Sequence, residues 1–178
     1  YFGEIPPGPP VSRFKSWIAQ RSGHQRAEAF DRVPLAKITK IWNIPEWGTA
    51  EAHYLDLISD ILGSGKNSRL YKRLVYDEQL ATDVNAYVDL REIAGQFTIT
   101  AKARPDVDIL RLEKAINEEI TKLCNEGPTE KELTRVRTQF LAGFVRGIER
   151  IGGFGGKSDI LARGEIYSGN PQVYKNNI

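Results

Sequence analysis

The sequence predicts an α+β fold in which helices pack on one face of an antiparallel sheet. Two neighbouring segments in the middle of the chain alternate apolar and polar residues, which is typical of a hairpin covered on one side only. The segments that follow the hairpin carry apolar residues at helical spacing. Hydrophobic residues make up 40% of the 178 residues, so a buried core is expected.

The first 22 residues are predicted to be a proline-rich interdomain linker followed by an irregular segment. Four of the nine prolines fall within residues 1–10, and proline favours extended backbone. Residues 15–32 are polar and are predicted to be irregular, with a short strand over 25–30. Residues 23–178 are expected to form a single domain. Because the sequence starts at Tyr1 and contains no methionine, we expect this domain to be an incomplete part of a longer multidomain chain. The compartment, periplasmic or cytoplasmic, is left open.

Three elements are predicted between this segment and the hairpin. A run rich in β-branched and aromatic residues predicts a strand over 35–44 that ends at Pro45. Thr49 is a candidate cap for a helix that ends at 63–65, and Ser68 for a second helix. The apolar residues at helical spacing are Tyr54, Ile58, Ile61 and Leu62 in the first helix and Leu70, Tyr71, Leu74 and Val75 in the second.

The hairpin and the helices after it have the clearest patterns. Its apolar positions are Val84, Ala86, Val88 and Leu90, then Phe97, Ile99, Ala101 and Ala103. A helix over 109–123 is predicted to stop at Gly127 and Pro128. Thr129 and Glu132 form a capping box for the next helix, whose apolar residues are Leu133, Val136, Phe140 and Phe144. A last helix is predicted over 158–167, after a glycine cluster and before Gly169.

Composition excludes several partners. Lys and Arg number 25 against 23 Asp and Glu, a net charge of +2 that is too even to predict nucleic acid or a membrane as a partner. No stretch approaches the roughly 18 apolar residues of a membrane-spanning helix. The single cysteine, Cys124, excludes an internal disulfide and a cysteine-built metal site.

Two glycine-rich turns are candidate anion-binding sites. Residues 152–158 resemble a phosphate-binding loop, but Ile151 replaces the first glycine and a helix precedes the loop instead of a strand. The turn over 63–68 opens a helix on which Lys66, Arg69 and Arg73 share a face. These three residues are weak candidates for binding a carboxylate or a phosphate, and a solvated basic face is the commoner outcome.

No catalytic or metal-binding residue is predicted. His53 and Asp56 share a helix face, but no third ligand stands at a telling distance, and His24 is the only other histidine. Cys124 lies at the wrong end of a helix for a lowered thiol pKa.

Four stretches together resemble the second domain of a half-molecule in the insulinase/pitrilysin family of inverzincin zinc metallopeptidases. Gly63–Asn85 carries the glycine turn, Ser-Arg-Leu at a helix start and Leu-Ala before a strand. Tyr1–Pro6 is similar to the exit from the first domain, Gly127–Leu133 to a helix start, and Glu149–Lys157 to the closing segment of bacterial members. The resemblance implies the repeated α+β domain of these peptidases.

The resemblance also implies where the chemistry lies. In this family the zinc motif belongs to the first domain, so the chain itself is expected to need no cofactor, while zinc is implied for the parent protein. Implied partners are the upstream zinc-bearing domain, a second half-molecule or subunit, and a peptide substrate. Val75 and Thr82 stand where some such domains carry an arginine and a tyrosine, which implies that another half supplies that pair.

The function predicted is therefore a non-catalytic domain that forms part of a peptide-enclosing chamber and packs against the zinc domain. One alternative is a catalytically silent structural or partner subunit related to the same family. Another, from a different class, is a phosphate-binding enzyme that uses the two glycine turns.

Overall fold

A computed structural model describes residues 3–177 of the chain. Tyr1 and Phe2 lie outside the described residues. They belong to the predicted linker and to the stretch Tyr1–Pro6, one of the four that resemble the insulinase/pitrilysin family. Residues 3–36 form no helix or strand. The irregular segment is thus confirmed, but the short strand predicted over 25–30 is wrong. A strand needs a hydrogen-bonded neighbour, and none pairs with this segment in the described part of the chain.

The sheet contains three antiparallel strands: β1 (Lys37–Ile44), β2 (Ala81–Leu90) and β3 (Gly95–Ala103). Their spatial order is β1-β3-β2, so β3 is central. Ile41 of β1 and Tyr87 of β2 both pair with Thr98 of β3, and this register holds across the sheet except at the start of β2, where it shifts between Ala81 and Asp83. The predicted hairpin is confirmed.

The described residues also form four α-helices: α1 (Ala50–Gly63), α2 (Ile109–Glu126), α3 (Glu130–Glu149) and α4 (Lys157–Ser168). A short 3-10 helix follows over Val173–Asn177. The hydroxyl of Thr49 accepts a hydrogen bond from the amide of Ala52, as its predicted cap role requires. Both bonds of the predicted capping box between Thr129 and Glu132 are present. Among the described helices, none combines the length and apolar character needed to cross a membrane.

The second predicted helix is present, but it is a π-helix over Tyr71–Asp77. The amide of Glu78 donates to the carbonyl of Arg73, a bond that spans five residues instead of four. Ser68 stands directly before the helical residues, and its carbonyl accepts from the amide of Lys72, but its hydroxyl donates to the carbonyl of Gly65. Over seven residues, apolar spacing does not distinguish an α-helix from a π-helix.

The core lies between one face of the sheet and the helices. Phe97, Ile99 and Ala101 of β3 are buried against residues of α1, the π-helix and α2, among them Ile61, Leu62, Leu70, Leu74, Leu112 and Ile116. Each large aliphatic side chain buried here contributes about 1.5–3 kcal/mol. Val136 is the buried residue of α3. Tyr54 and Phe140 belong to the predicted apolar series but are exposed, because α1 and α3 turn those positions away from the core.

Candidate functional site: the open face of the sheet

The second face of the sheet is not covered by helices and is the candidate functional site. We define this open face by the alternate residues of each strand that point away from the core. Cross-strand pairing arranges them in four rows, which are Lys37, Lys102 and Asp83; Thr39, Thr100 and Asn85; Ile41, Thr98 and Tyr87; and Asn43, Gln96 and Asp89. Each row crosses the three strands, and the row of Asn43, Gln96 and Asp89 lies nearest the turn between β2 and β3.

Hydroxyl and amide groups dominate the open face. Asn85, Thr39 and Gln96 each present groups that donate or accept hydrogen bonds and are not charged at neutral pH. Ile41 and Tyr87 flank Thr98, which is buried, and are themselves 40% and 43% exposed. The middle of the face therefore combines neutral hydrogen-bonding groups with partly exposed apolar surface, while Lys37, Lys102 and Asp83 at one end and Asp89 at the other carry charges of both signs. Such a face suits an extended polypeptide better than a polyanion.

The N-terminal segment, which we call the connector (residues 11–33), folds back onto the turn end of this face. The amide of Trp17 donates to the carbonyl of Ile93 at 3.1 Å. The Asn43 side-chain amide donates to the Ala19 carbonyl at 2.9 Å. Arg26 then reaches Glu113 of α2 at 2.7 Å, and Glu113 also pairs with Lys40 of β1. The hydrogen bond from Arg26, followed by that from Lys40, lowers the pKa of Glu113.

The anion-site candidate Arg69 is occupied by a carboxylate of this chain. Its Nε and Nη2 atoms donate to the two oxygens of Glu132 at 2.6 and 2.8 Å, and Nη2 also donates to the Gly127 carbonyl. The hydrogen bond from Arg69 is the main reason that the pKa of Glu132 falls to about 2. Bonds from the backbone and hydroxyl of Thr129 act in the same direction.

Arg73 is also held by carboxylates of the chain. It donates to Glu78 at 2.6 Å and to Glu118 at 2.5 Å, and it reaches the carbonyl of Ala115. These hydrogen bonds, with Glu78 first, raise the pKa of Arg73. Lys66 is exposed in the turn before the π-helix. An external anion at Arg69 or Arg73 has to displace Glu132 or Glu118, and anion binding by the three residues stays a prediction.

The residues present do not fit a zinc site. Within residues 3–177 no group of three or more His, Cys, Asp or Glu side chains is placed to hold a metal ion. His53 lies on α1 and His24 lies in the connector. Burial, followed by the charge of Asp60, raises the pKa of Asp56, while His53 opposes that shift.

Two further positions from the sequence analysis lie near the start of β2. Val75 is partly buried against the core, in the π-helix. Thr82 is exposed at an irregularity in the pairing of β2 with β3, and its hydroxyl donates to the Lys102 carbonyl at 3.4 Å. Neither side chain carries a group that polarises a peptide carbonyl as arginine does.

The glycine cluster before α4 is closed by its own contacts. The amide of Gly155 donates to the carboxylate of Asp159 at 2.8 Å, and the amide of Lys157 donates to the Arg150 carbonyl. A phosphate at this loop has to compete with Asp159 for the first of these donors.

Comparison with known proteins places this architecture among peptidase domains. Residues 1–140 match the family described as the peptidase M16 inactive domain. The zinc protease PqqE of Helicobacter pylori is 26% identical over 137 residues, which cover 76% of this chain and 31% of that protein.

Solved structures agree on the fold. A protease from Helicobacter pylori has a TM-score of 0.73 at 22% identity, over 83% of this chain and 35% of that chain. The inactive domain of a proposed zinc protease from Bordetella parapertussis has a TM-score of 0.64 at 19% identity, over 79% and 74% of the two chains. This chain thus spans about a third of the length of the Helicobacter proteins.

Proposed function

Because this chain belongs to the peptidase M16 inactive-domain family, we propose that its open face is part of the surface that encloses a peptide in a larger zinc protease. The family is the one to which the sequence resemblance pointed. The domain itself is the non-catalytic type. The observation that carries the proposal is a sheet whose helices cover one face and whose other face presents hydroxyl and amide groups.

The chemistry of the open face supports a role in contacting peptide. A peptide in extended conformation presents unpaired amides and carbonyls, which pair with neutral donors and acceptors. Asn85, Gln96 and Thr100 provide such groups, and the charged residues on the same face are of both signs. Contacts of this kind hold many sequences with modest affinity, which suits a surface that confines a substrate and does not cut it.

Zinc is proposed for another domain of the parent protein. The described residues of this chain lack a ligand set for it, and a catalytic zinc needs three protein ligands and an open position. When bound elsewhere in the parent, zinc would activate water and polarise the scissile carbonyl. This chain's proposed partners are that zinc-bearing domain and a second half-molecule or subunit.

A titration with an unstructured peptide tests the proposal. The chain is labelled at the δ1 methyl groups of isoleucine and followed by NMR. We expect the signal of Ile41, on the open face, to shift saturably, while that of Ile99, which is fully buried on the covered face, stays fixed. Absence of any shift at Ile41 would contradict the proposal.

A matched pair of tyrosine variants separates the open face from the rest of the surface. Tyr87 lies on the open face, and Tyr54 is a surface tyrosine of α1. We expect Tyr87→Ala to weaken peptide binding at least about threefold and Tyr54→Ala to leave it unchanged. Equal effects of the two substitutions would mean that the peptide contacts another surface.

A further inference from the structure

A cavity lies at the turn end of the open face, between the sheet and the connector. Its volume is about 330 Å³, and its walls include Trp17, Asn43, Ile93 and Gln96. Sites for small molecules range from about 300 to 1,000 Å³, so this cavity is large enough for one side chain and too small for a folded partner. It continues the row formed by Asn43, Gln96 and Asp89.

Trp17 lines the cavity together with the apolar residues Ala19, Ile93 and Ala94, and the chain itself covers Trp17 poorly. Trp17 is 64% exposed although its backbone amide is fixed to Ile93. An aromatic ring placed against an indole gains about 0.5–1.5 kcal/mol beyond the area that it buries. The fixed backbone and the exposed ring together offer a stacking surface whose position is already set.

The polar rim favours a neutral ring over a cation. Arg91 donates to the carboxylate of Asp89 through two nitrogens, at 3.1 and 2.8 Å. A basic side chain of a ligand has to displace that guanidinium, whereas a neutral aromatic side chain does not. The Gln96 amide group lines the same cavity and is exposed, so a phenol hydroxyl has a hydrogen-bonding partner there.

We propose that the cavity bounded by Trp17, Ile93 and Gln96 is a subsite for an aromatic side chain, with tyrosine as the best fit, of a peptide lying on the open face. The inference rests on the proposed function and names the side-chain class that the surface selects. The connector provides one wall, so the subsite depends on its return to the turn between β2 and β3.

The test uses the whole 178-residue chain, with its three tryptophan indole N–H signals resolved by NMR. The probes are acetyl-Gly-Gly-Xaa-Gly-Gly-amide peptides with tyrosine, leucine or alanine at the centre. We expect the tyrosine peptide to shift the Trp17 signal saturably and to bind roughly tenfold more tightly than the alanine peptide. No shift at Trp17, or equal affinity of the leucine and tyrosine peptides, would overturn the subsite.

Two variants in the connector provide the control. Phe14 is an exposed aromatic residue close to Trp17 that does not line the cavity. Trp17→Ala should reduce affinity for the tyrosine peptide roughly tenfold, and Phe14→Ala should not change it; the reverse order contradicts the proposal. If Ile41 responds to the tyrosine peptide and Trp17 does not, the subsite fails and the proposed function stands. If neither responds, both fail.

Discussion

Glu132 joins two parts of the chain that lie far apart in the sequence. It completes the capping box of α3 and also binds the guanidinium of Arg69, in the turn of helix before the π-helix. The side chain of Arg69 is only 11% exposed and that of Glu132 only 19%. Because this pair is largely shielded from water, its loss costs more than that of an ordinary surface ion pair.

Replacing Glu132 with glutamine should destabilise the chain by about 2–4 kcal/mol. The amide keeps part of the capping bond but leaves the charge of Arg69 unpaired. Urea unfolding measures the change. Glu130→Gln, at an exposed position one residue past the cap, is the control and should cost no more than about 1 kcal/mol. A similar cost for both variants would contradict the account.

Acid should remove the contribution of Glu132. Its pKa falls from an ordinary value of 4.5 to about 2 on folding. A lowered pKa in the folded state means that the stabilisation is full above the unfolded value and is lost as pH falls towards the folded one. The difference in unfolding free energy between the native chain and Glu132→Gln should therefore shrink between about pH 5 and pH 2. A constant difference over that range would be inconsistent with this pair.

The sequence predicted the basic residues of this region but not the carboxylates that bind them. Lys66, Arg69 and Arg73 were recognised as a basic face because helical spacing relates nearby residues. The carboxylates that engage the two arginines come from α2, from α3 and from Glu78. The pattern along one helix does not show which carboxylates of α2 and α3 approach it. Two arginines that are already paired with carboxylates therefore appear in the sequence as a candidate anion site.

At the scale of elements, α1 approaches β2 closely at Gly63. A Cβ atom added at Gly63 would lie 2.1 Å from the backbone nitrogen of Ala86. The end of α1 therefore rests directly on the strand, and the absence of a side chain at Gly63 sets the distance between helix and sheet.

Two helical glycines should respond in opposite ways to alanine. Gly63→Ala forces α1 away from β2 and should destabilise the chain by about 1–3 kcal/mol. In Gly143→Ala, in α3, the added carbon meets no atom within 4 Å, and the substitution should stabilise by about 0.5–1 kcal/mol. Thermal and urea unfolding measure both. A neutral or stabilising result at Gly63 would show that the helix is not seated as described.

The local pattern predicted the hairpin and β1, but it failed for the short strand over 25–30 and for the type of the second helix. The hairpin followed from its alternation because β2 and β3 face each other across a short turn. The strand expected over 25–30 had a suitable local pattern but no neighbour to complete its hydrogen bonds. The π-helix repeats the apolar spacing of an α-helix over its short length, so its hydrogen bonding was not visible in the pattern.

At the scale of the whole molecule, one part of the candidate site was predictable from the sequence and another part was not. The polar face of the hairpin was apparent from alternation, and it became the open face. The cavity was missed, because it forms only when the connector folds back so that Trp17 meets Ile93. The predicted domain boundary between residues 22 and 23 stays a prediction, and connector residues on both sides of it contact the sheet or α2.

We propose that this domain supplies shape and peptide contact and that hydrolysis takes place in another part of the parent protein. The most direct test incubates the purified chain with an unstructured protein substrate in the presence of added zinc and follows cleavage by mass spectrometry. We predict intact substrate at all times. Zinc-dependent cleavage by this chain, retained through purification and abolished by a chelator, would contradict the central claim.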